Sequence, residues 1–340
     1  MLKKKLAFID YWHHEFTRSG DFLRNILSEE FEITNFWWKP RTKFPIDEIQ
    51  KYDHVFFFHV MFPYQIMKRF KKKKILWAPM YDALIFKNNF EKKIFWRQIS
   101  LLGVKILEFS KKVSESIGKE NIETLKIRYF IKTQKNAANK ISNRIKIFFW
   151  DRGQIKINDW IGLFNLSDID EIIYYPVVDP SRKIINNLNE FKDLKITILQ
   201  KKFLPKNEYL ELMNNCNVFI APRKKEGIGM SIVEALSKGM YIIGFNDSTM
   251  DEYITDEKIG YLFNNDANKI NINNILNEHE FRLSNSELNY SKWLSQKNKI
   301  IPFFNKENLI NNKKLIDYLL IYDDFKFYFK KILDKNRFLY

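Results

Sequence analysis

The stretch of the 340-residue chain best equipped for chemistry is Ala221 to Leu236, Ala-Pro-Arg-Lys-Lys-Glu-Gly-Ile-Gly-Met-Ser-Ile-Val-Glu-Ala-Leu. An apolar run ends at Ala221, Pro222 and the following charges form a loop, and Glu226-Gly227-Ile228-Gly229 is a glycine-bearing turn. The pattern then predicts a helix over Met230 to Lys238, with Gly239 placed to close it. Two glycines ahead of a helix let the backbone approach a ligand closely, and the first-turn N–H groups have no acceptor inside the helix. Such a terminus favours phosphate. Glu226 and Glu234 lie eight positions apart, roughly 10–12 Å if the span is helical throughout. Ionised carboxylates only accept hydrogen bonds, and each can take two from vicinal hydroxyls. Two of them bracketing a phosphate-binding turn match a ligand with a polyol on either side of a diphosphate.

The elements that position this stretch alternate between strand and helix. Leu6 to Asp10, Phe31 to Trp37, His54 to Val60, Ile75 to Pro79 and Lys105 to Phe109 are short apolar runs separated by helical segments. A continuous run such as His54-Val55-Phe56-Phe57-Phe58-His59-Val60 is typical of a strand covered on both faces. The polar stretch Lys132 to Lys140 lacks apolar periodicity and reads as a linker. Alternation resumes with Ile145 to Trp150, Glu171 to Tyr175, Leu194 to Leu199, Val218 to Ala221 and Tyr241 to Phe245. This rhythm predicts an α/β protein with two Rossmann-like, doubly wound parallel-sheet domains facing a cleft, followed by C-terminal helices. The domains are expected at 1–140 and 141–285, with 286–340 a helical segment packing back across them. Ligands of open α/β sheets bind outside the carboxyl ends of the strands, so that cleft is the expected site.

Composition narrows the class. Apolar residues make up 45% of the chain, which excludes a disordered protein. Cys216 is the single cysteine, so there is no internal disulfide, and it is expected as a small packed residue. No signal peptide is recognisable and no run reaches the roughly 20 apolar residues of a membrane span. A cytoplasmic protein, soluble or peripheral on the inner face of the cell membrane, is the expectation. The net charge of +16 is consistent with general solubility or with an anionic membrane surface. Nucleic acid is not expected as a partner, because no helix-turn-helix, zinc or RNA-binding signature accompanies the charge.

The order strand, loop, Glu-Gly-x-Gly, helix, Glu-Ala-Leu, glycine and strand resembles the retaining GT-B glycosyltransferases of the family 4, or group 1, type. The upstream helix Glu208 to Asn217 and the downstream Asp251-Glu252-Tyr253-Ile254 and Ile259-Gly260-Tyr261-Leu262-Phe263 are similar to the same family. The likeness covers about 200 to 265. It implies that Glu226 holds the hydroxyls of the transferred sugar, that Glu234 binds the ribose, and that the backbone of Gly227, Ile228, Gly229 and Met230 covers the diphosphate. The family also places an arginine after the first strand of its C-terminal domain and a lysine shortly after. Arg152 and Lys156 answer to these, the guanidinium fork suiting phosphate oxygens. With such cations no metal and no cofactor is required beyond the nucleotide-diphosphate sugar as co-substrate.

The implied reaction is retaining transfer of a sugar to a hydroxyl of a glycan or lipid-linked acceptor, in surface polysaccharide or lipopolysaccharide synthesis. A sugar-nucleotide epimerase of the same fold, or a non-catalytic nucleotide-sugar-binding scaffold, are the alternatives. In the N-terminal half the loop Tyr11 to Phe16 lacks the family's glycine pair. His13 and His14 on this loop are candidates for contact with acceptor or donor sugar, or are merely solvated. Asp82 either orients the acceptor hydroxyl or caps a helix, and Ser110 reads as a cap. Lys68 to Lys74, with Lys92, Lys93, Phe95, Trp96 and Arg97, is either a basic-aromatic face toward anionic lipid or a solvated charge run.

Overall fold

The computed structural model describes residues 3–39, 42, 44–59, 64–70, 73–134, 144–178, 182–200, 202–246, 249–264 and 268–307. Among them, two six-stranded sheets form, each parallel throughout. The first contains β1 (Lys4–Tyr11), β2 (Phe31–Trp38), β3 (His54–His59), β4 (Lys74–Pro79), β5 (Lys105–Glu108) and β6 (Thr124–Lys126), in the order β2-β1-β3-β4-β5-β6. The second contains β7 (Ile145–Trp150), β8 (Ile169–Tyr175), β9 (Ile196–Ile198), β10 (Val218–Ile220), β11 (Tyr241–Phe245) and β12 (Gly260–Phe263), in the order β12-β11-β10-β7-β8-β9. Each order reverses once, between β1 and β3 in the first sheet and between β7 and β10 in the second. Loops leaving the carboxyl ends of strands diverge at such a reversal and leave room for a ligand.

The apolar runs explain the cores. Val55, Phe56 and Phe57 of β3 and Ile75, Leu76 and Trp77 of β4 are buried, because helices cover both faces of a parallel sheet. The helix Asn89–Leu101, capped by Asn88 accepting from the Glu91 N–H, lays Phe95 and Trp96 on Trp77 at centroid distances of 5.9 and 5.7 Å. Both rings are buried, so the aromatic half of the basic-aromatic face read from the sequence belongs to the core. In the second sheet Phe148 stacks on Phe219 at 6.1 Å on one face, while Phe149 meets Trp160 on the other. Cys216 is buried.

The chain divides into two compact units, residues 1–127 with 297 onward, and residues 128–296. The division falls before the 140/141 position read from the sequence because Arg128 already pairs with Glu252 at 3.2 Å and Tyr129 packs on Trp293 at 5.1 Å. Of the segment read as a linker, Gln134 donates its N–H to the Ser237 carbonyl, and 135–140 lie outside the described residues. The helix Ile300–Asn305 joins the first unit through its carboxyl end. Lys74 donates to the Asn305 carbonyl at 2.8 Å and buried Lys105 to that of Phe303 at 2.9 Å, cations where the helix dipole favours them. The residues from Phe325 to Tyr340 lie outside the described ones, as do Lys71 and Lys72 of the basic run. Among the described residues no helix is long and apolar enough to cross a membrane.

His54, at the start of β3, is buried between Phe31 at 4.9 Å and Phe304 at 5.4 Å, and neither ring nitrogen has a hydrogen-bond partner among the described residues. Burial, reinforced by Lys4 and Lys74, lowers its pKa to about 4. The folded protein therefore resists protonation that the unfolded chain accepts near pH 6.5, so stability is full above that pH and falls as pH drops toward 4. Urea denaturation at pH 7 and pH 5 should show a loss of about 1–2 kcal/mol from this residue. His54→Leu should remove that part of the pH dependence.

Candidate functional site

The reversal in the second sheet brings together the loops that follow β7 and β10. Asp151, the residue after β7, is fully buried and accepts from the Tyr174 hydroxyl at 2.6 Å, the Asn186 amide at 2.7 Å and the Gly153 N–H at 2.7 Å. Gly153 has φ +72°, and a Cβ there would lie 2.5 Å from the Lys183 carbonyl oxygen. This fixed turn aims Arg152, whose guanidinium lies 4.5 Å from the centre of the Trp150 ring. Arg152 is only 8% exposed. Its pKa is lowered to about 10, first by burial and next by Arg223, with Glu226 acting in the opposite direction.

Arg223 comes from the loop after β10 and stands 3.9 Å from the Glu226 carboxylate. Two guanidiniums thus share the neighbourhood of one carboxylate. The backbone of that loop is fixed by Thr249, whose hydroxyl donates to the Gly227 and Glu226 carbonyls at 3.0 and 3.3 Å. Gly229 caps the helix Met230–Ser237 in the left-handed conformation, φ 68° and ψ 54°. A Cβ at that position would meet Ile232 Cδ1 at 2.9 Å, so both conformation and space call for glycine. Gly227, Ile228 and Gly229 form the turn that leads into the helix, and Met230 is its first residue.

Glu234 lies inside this helix and is 7% exposed. Lys206, the first residue of the helix Lys206–Asn214, pairs with it at 3.0 Å. Burial raises the Glu234 pKa, and Lys206 holds it back. Glu226, Glu234, Arg152 and the glycine turn therefore lie in one unit, at the carboxyl side of β7 and β10. Lys156 is exposed, and its backbone N–H binds Asp159; no interaction joins its side chain to Arg152, Arg223 or Glu226 among the described residues.

Arg223, Lys206 and Asp151 were not singled out from the sequence. Arg223 had a usable signal, being a guanidine three residues before Glu226 in the same loop. Lys206 had none, because its approach to Glu234 depends on how two helices pack.

The first sheet carries a second polar cluster at its own reversal. Asp10, buried near the end of β1, accepts from Arg24 at 2.5 Å, from the Tyr11 N–H at 2.7 Å and lies 2.6 Å from His14 Nδ1. The His14 ring centre is 5.2 Å from that of His59, the last residue of β3, which has the rare φ of +64° for a non-glycine residue. His59 Nε2 stands 3.6 Å from Asp82 in the turn after β4. Asp82 caps no helix among the described residues, since Met80 holds the cap position of its turn. His14 thus joins this cluster, and His13 packs edge-on against Trp12. Ser110 caps the helix Lys111–Ile117 by accepting from the Val113 N–H.

Among the described residues no group of three or more histidine, cysteine or acidic side chains is arranged to hold a metal ion. An Asp-x-Asp, Asp168-Ile169-Asp170, stands at the amino end of β8. There Asp170 pairs with Arg144 and Lys146.

The family described as glycosyl transferases group 1 matches residues 173–287, which span the glycine turn and both glutamates. No curated protein matches the sequence. Among solved structures, WaaG, a glycosyltransferase involved in lipopolysaccharide biosynthesis, superposes with a TM-score of 0.52 at 12% identity, over 89% of this chain and 100% of its own. Sucrose-phosphate synthase from Thermosynechococcus elongatus gives 0.51 at 11% identity, over 96% and 100%. Anabaena Alr3699/HepE in complex with UDP and glucose gives 0.54 at 10% identity, over 89% and 100%. These likenesses are of fold. The family match lies over the glycine turn and its two flanking carboxylates, so residues 173–287 are similar to the group 1 glycosyl transferases, and the chain has the GT-B fold.

Proposed function

We propose that the chain moves a sugar from a nucleotide-diphosphate sugar to a hydroxyl of a glycan or lipid-linked acceptor, with retention of anomeric configuration. The observation that carries the donor assignment is the pair Arg152 and Arg223 beside a glycine-capped helix terminus, flanked by the buried carboxylates Glu226 and Glu234. The guanidiniums and the first-turn N–H groups bind the diphosphate and stabilise the charge that grows on it as the glycosidic bond breaks. Glu234 takes the ribose hydroxyls in place of Lys206, and Glu226 takes hydroxyls of the transferred sugar. Because the arginines supply the positive charge, the reaction proceeds without a divalent metal. Substitution on the same face of the sugar, without a covalent glycosyl-enzyme, is the route proposed. The acceptor hydroxyl is assigned to the first unit, to the cluster of Asp82, His59, His14 and Asp10.

Surface polysaccharide or lipopolysaccharide synthesis at the cytoplasmic face of a membrane fits the basic chain. Ile85 and Phe90 are 79% and 65% exposed and stand in sequence among Lys87, Lys92 and Lys93. Anionic lipid attracts such cations while the apolar side chains enter the interface. Co-sedimentation with phosphatidylglycerol vesicles should be strong at low salt and fall in the double variant Ile85→Ser, Phe90→Ser. Equal binding by this variant would remove the membrane face from these residues.

A thermal-shift panel of UDP-, GDP-, dTDP- and CMP-sugars, beginning with UDP-glucose, tests the donor site. A true donor at 100 times its Kd should stabilise the fold by about 2.7 kcal/mol, and chelator should leave both the shift and turnover unchanged. Glu226→Ala should reduce kcat by about a hundredfold or more while nucleotide affinity stays near that of the wild type. Glu234→Ala should weaken nucleotide binding by about 10- to 100-fold. The opposite assignment of these two losses would exchange the roles of the glutamates.

A further inference from the structure

Three tyrosines surround the turn that carries Arg152, and two of them have their hydroxyls fully engaged. Tyr174 donates to Asp151 at 2.6 Å. Tyr175 donates to the Lys202 carbonyl at 2.9 Å and accepts from the Leu204 N–H at 2.8 Å. The third, Tyr209, is 7% exposed, and its buried hydroxyl has no hydrogen-bond partner among the described residues. Leaving a buried hydroxyl unmatched is unfavourable, and native folds rarely tolerate it without a reason.

The setting of Tyr209 supplies one. It lies three residues after Lys206 on the same helix, hence on the same side of it as the lysine that pairs with Glu234. Its ring packs on Trp150 at 5.5 Å, Phe148 at 5.6 Å and Tyr175 at 6.3 Å. Trp150 is the last residue of β7 and is also the ring that supports the Arg152 guanidinium. Tyr209 feels the charges of both Glu234 and Arg152, and burial keeps its hydroxyl protonated, so it can donate. The aromatic packing fixes the ring against the support of Arg152, on the helix side that carries Lys206, and leaves its polar end unmatched among the described residues.

We infer that Tyr209 is a binding residue for the donor, its hydroxyl giving a hydrogen bond to an oxygen of the ribose–diphosphate portion of a nucleoside diphosphate. This rests on the donor site proposed above. A protein that holds a rigid, unmatched donor at the site gains the full hydrogen bond when the ligand arrives, since no internal partner has to be released.

The test is Tyr209→Phe, which keeps the ring and removes the hydroxyl. Thermal unfolding of the free variant and calorimetric titration with UDP should move in opposite directions. The free protein should melt at an equal or higher temperature than the wild type, and UDP should bind about tenfold more weakly. A lower melting temperature would show that the hydroxyl is already matched in the free protein and would overturn the inference. Unchanged UDP affinity would also overturn it, while leaving the donor site in place. If the wild type binds none of UDP, GDP, dTDP-glucose or CMP, the donor site itself fails and the inference with it.

Discussion

The structure turns on two cations held beside a carboxylate. Arg152 and Arg223 share the neighbourhood of Glu226, in a place where burial already disfavours ionised groups. Keeping two cations there requires fixed support. The Trp150 ring supplies a face for the Arg152 guanidinium, and Asp151 locks the turn beneath it through Tyr174, Asn186 and Gly153. A flexible loop would let the side chains swing into water and release the strain. Because the loop is held, an anion that enters finds charges already oriented.

That arrangement depends on topology more than on any one loop. Asp151 and Arg152 follow β7, Arg223 and Glu226 follow β10, and these strands are hydrogen-bonded neighbours although about 70 residues separate them in sequence. The neighbour relation exists only because the chain reverses its direction of winding after β9. The first sheet repeats the logic with β1 and β3, where Asp10 and His14 meet His59. In each sheet the reversal gathers polar side chains from segments far apart in sequence onto the carboxyl ends of adjacent strands.

The same fact decides what could be read from the sequence. The central strands were legible because continuous apolar runs such as His54 to His59 and Ile145 to Trp150 have few other uses. The glycine turn and the glutamates at 226 and 234 were legible because their meaning lies within one local unit. Asp151 and His59 were not, since their significance comes from which strands lie side by side, and periodicity does not report strand order. Phe95 and Trp96 read as surface aromatics beside Lys92, Lys93 and Arg97, yet the turn of the helix directs them onto Trp77 and the lysines outward. The short edge strand Thr124–Lys126 carries too little apolar pattern to stand out. The limit of the first unit followed Arg128 and Tyr129, whose partners Glu252 and Trp293 lie more than a hundred residues further on.

The two glutamates differ in how they are held, and the difference follows from their surroundings. Glu234 is deep in a helix, and without a cation burial would push it toward the neutral acid, a poor acceptor for two hydroxyls. Lys206 opposes this from a largely exposed position on a neighbouring helix, so its head group can withdraw into water at small cost when a polyol takes its place. Glu226 is instead paired within its own loop by Arg223 at 3.9 Å, a separation too long for a direct hydrogen bond. Hydroxyls of a ligand can share that carboxylate while the arginine turns to an added phosphate. A carboxylate paired at such a distance suits a group that must bind one neutral polyol after another, because each exchange replaces one set of hydrogen bonds by another.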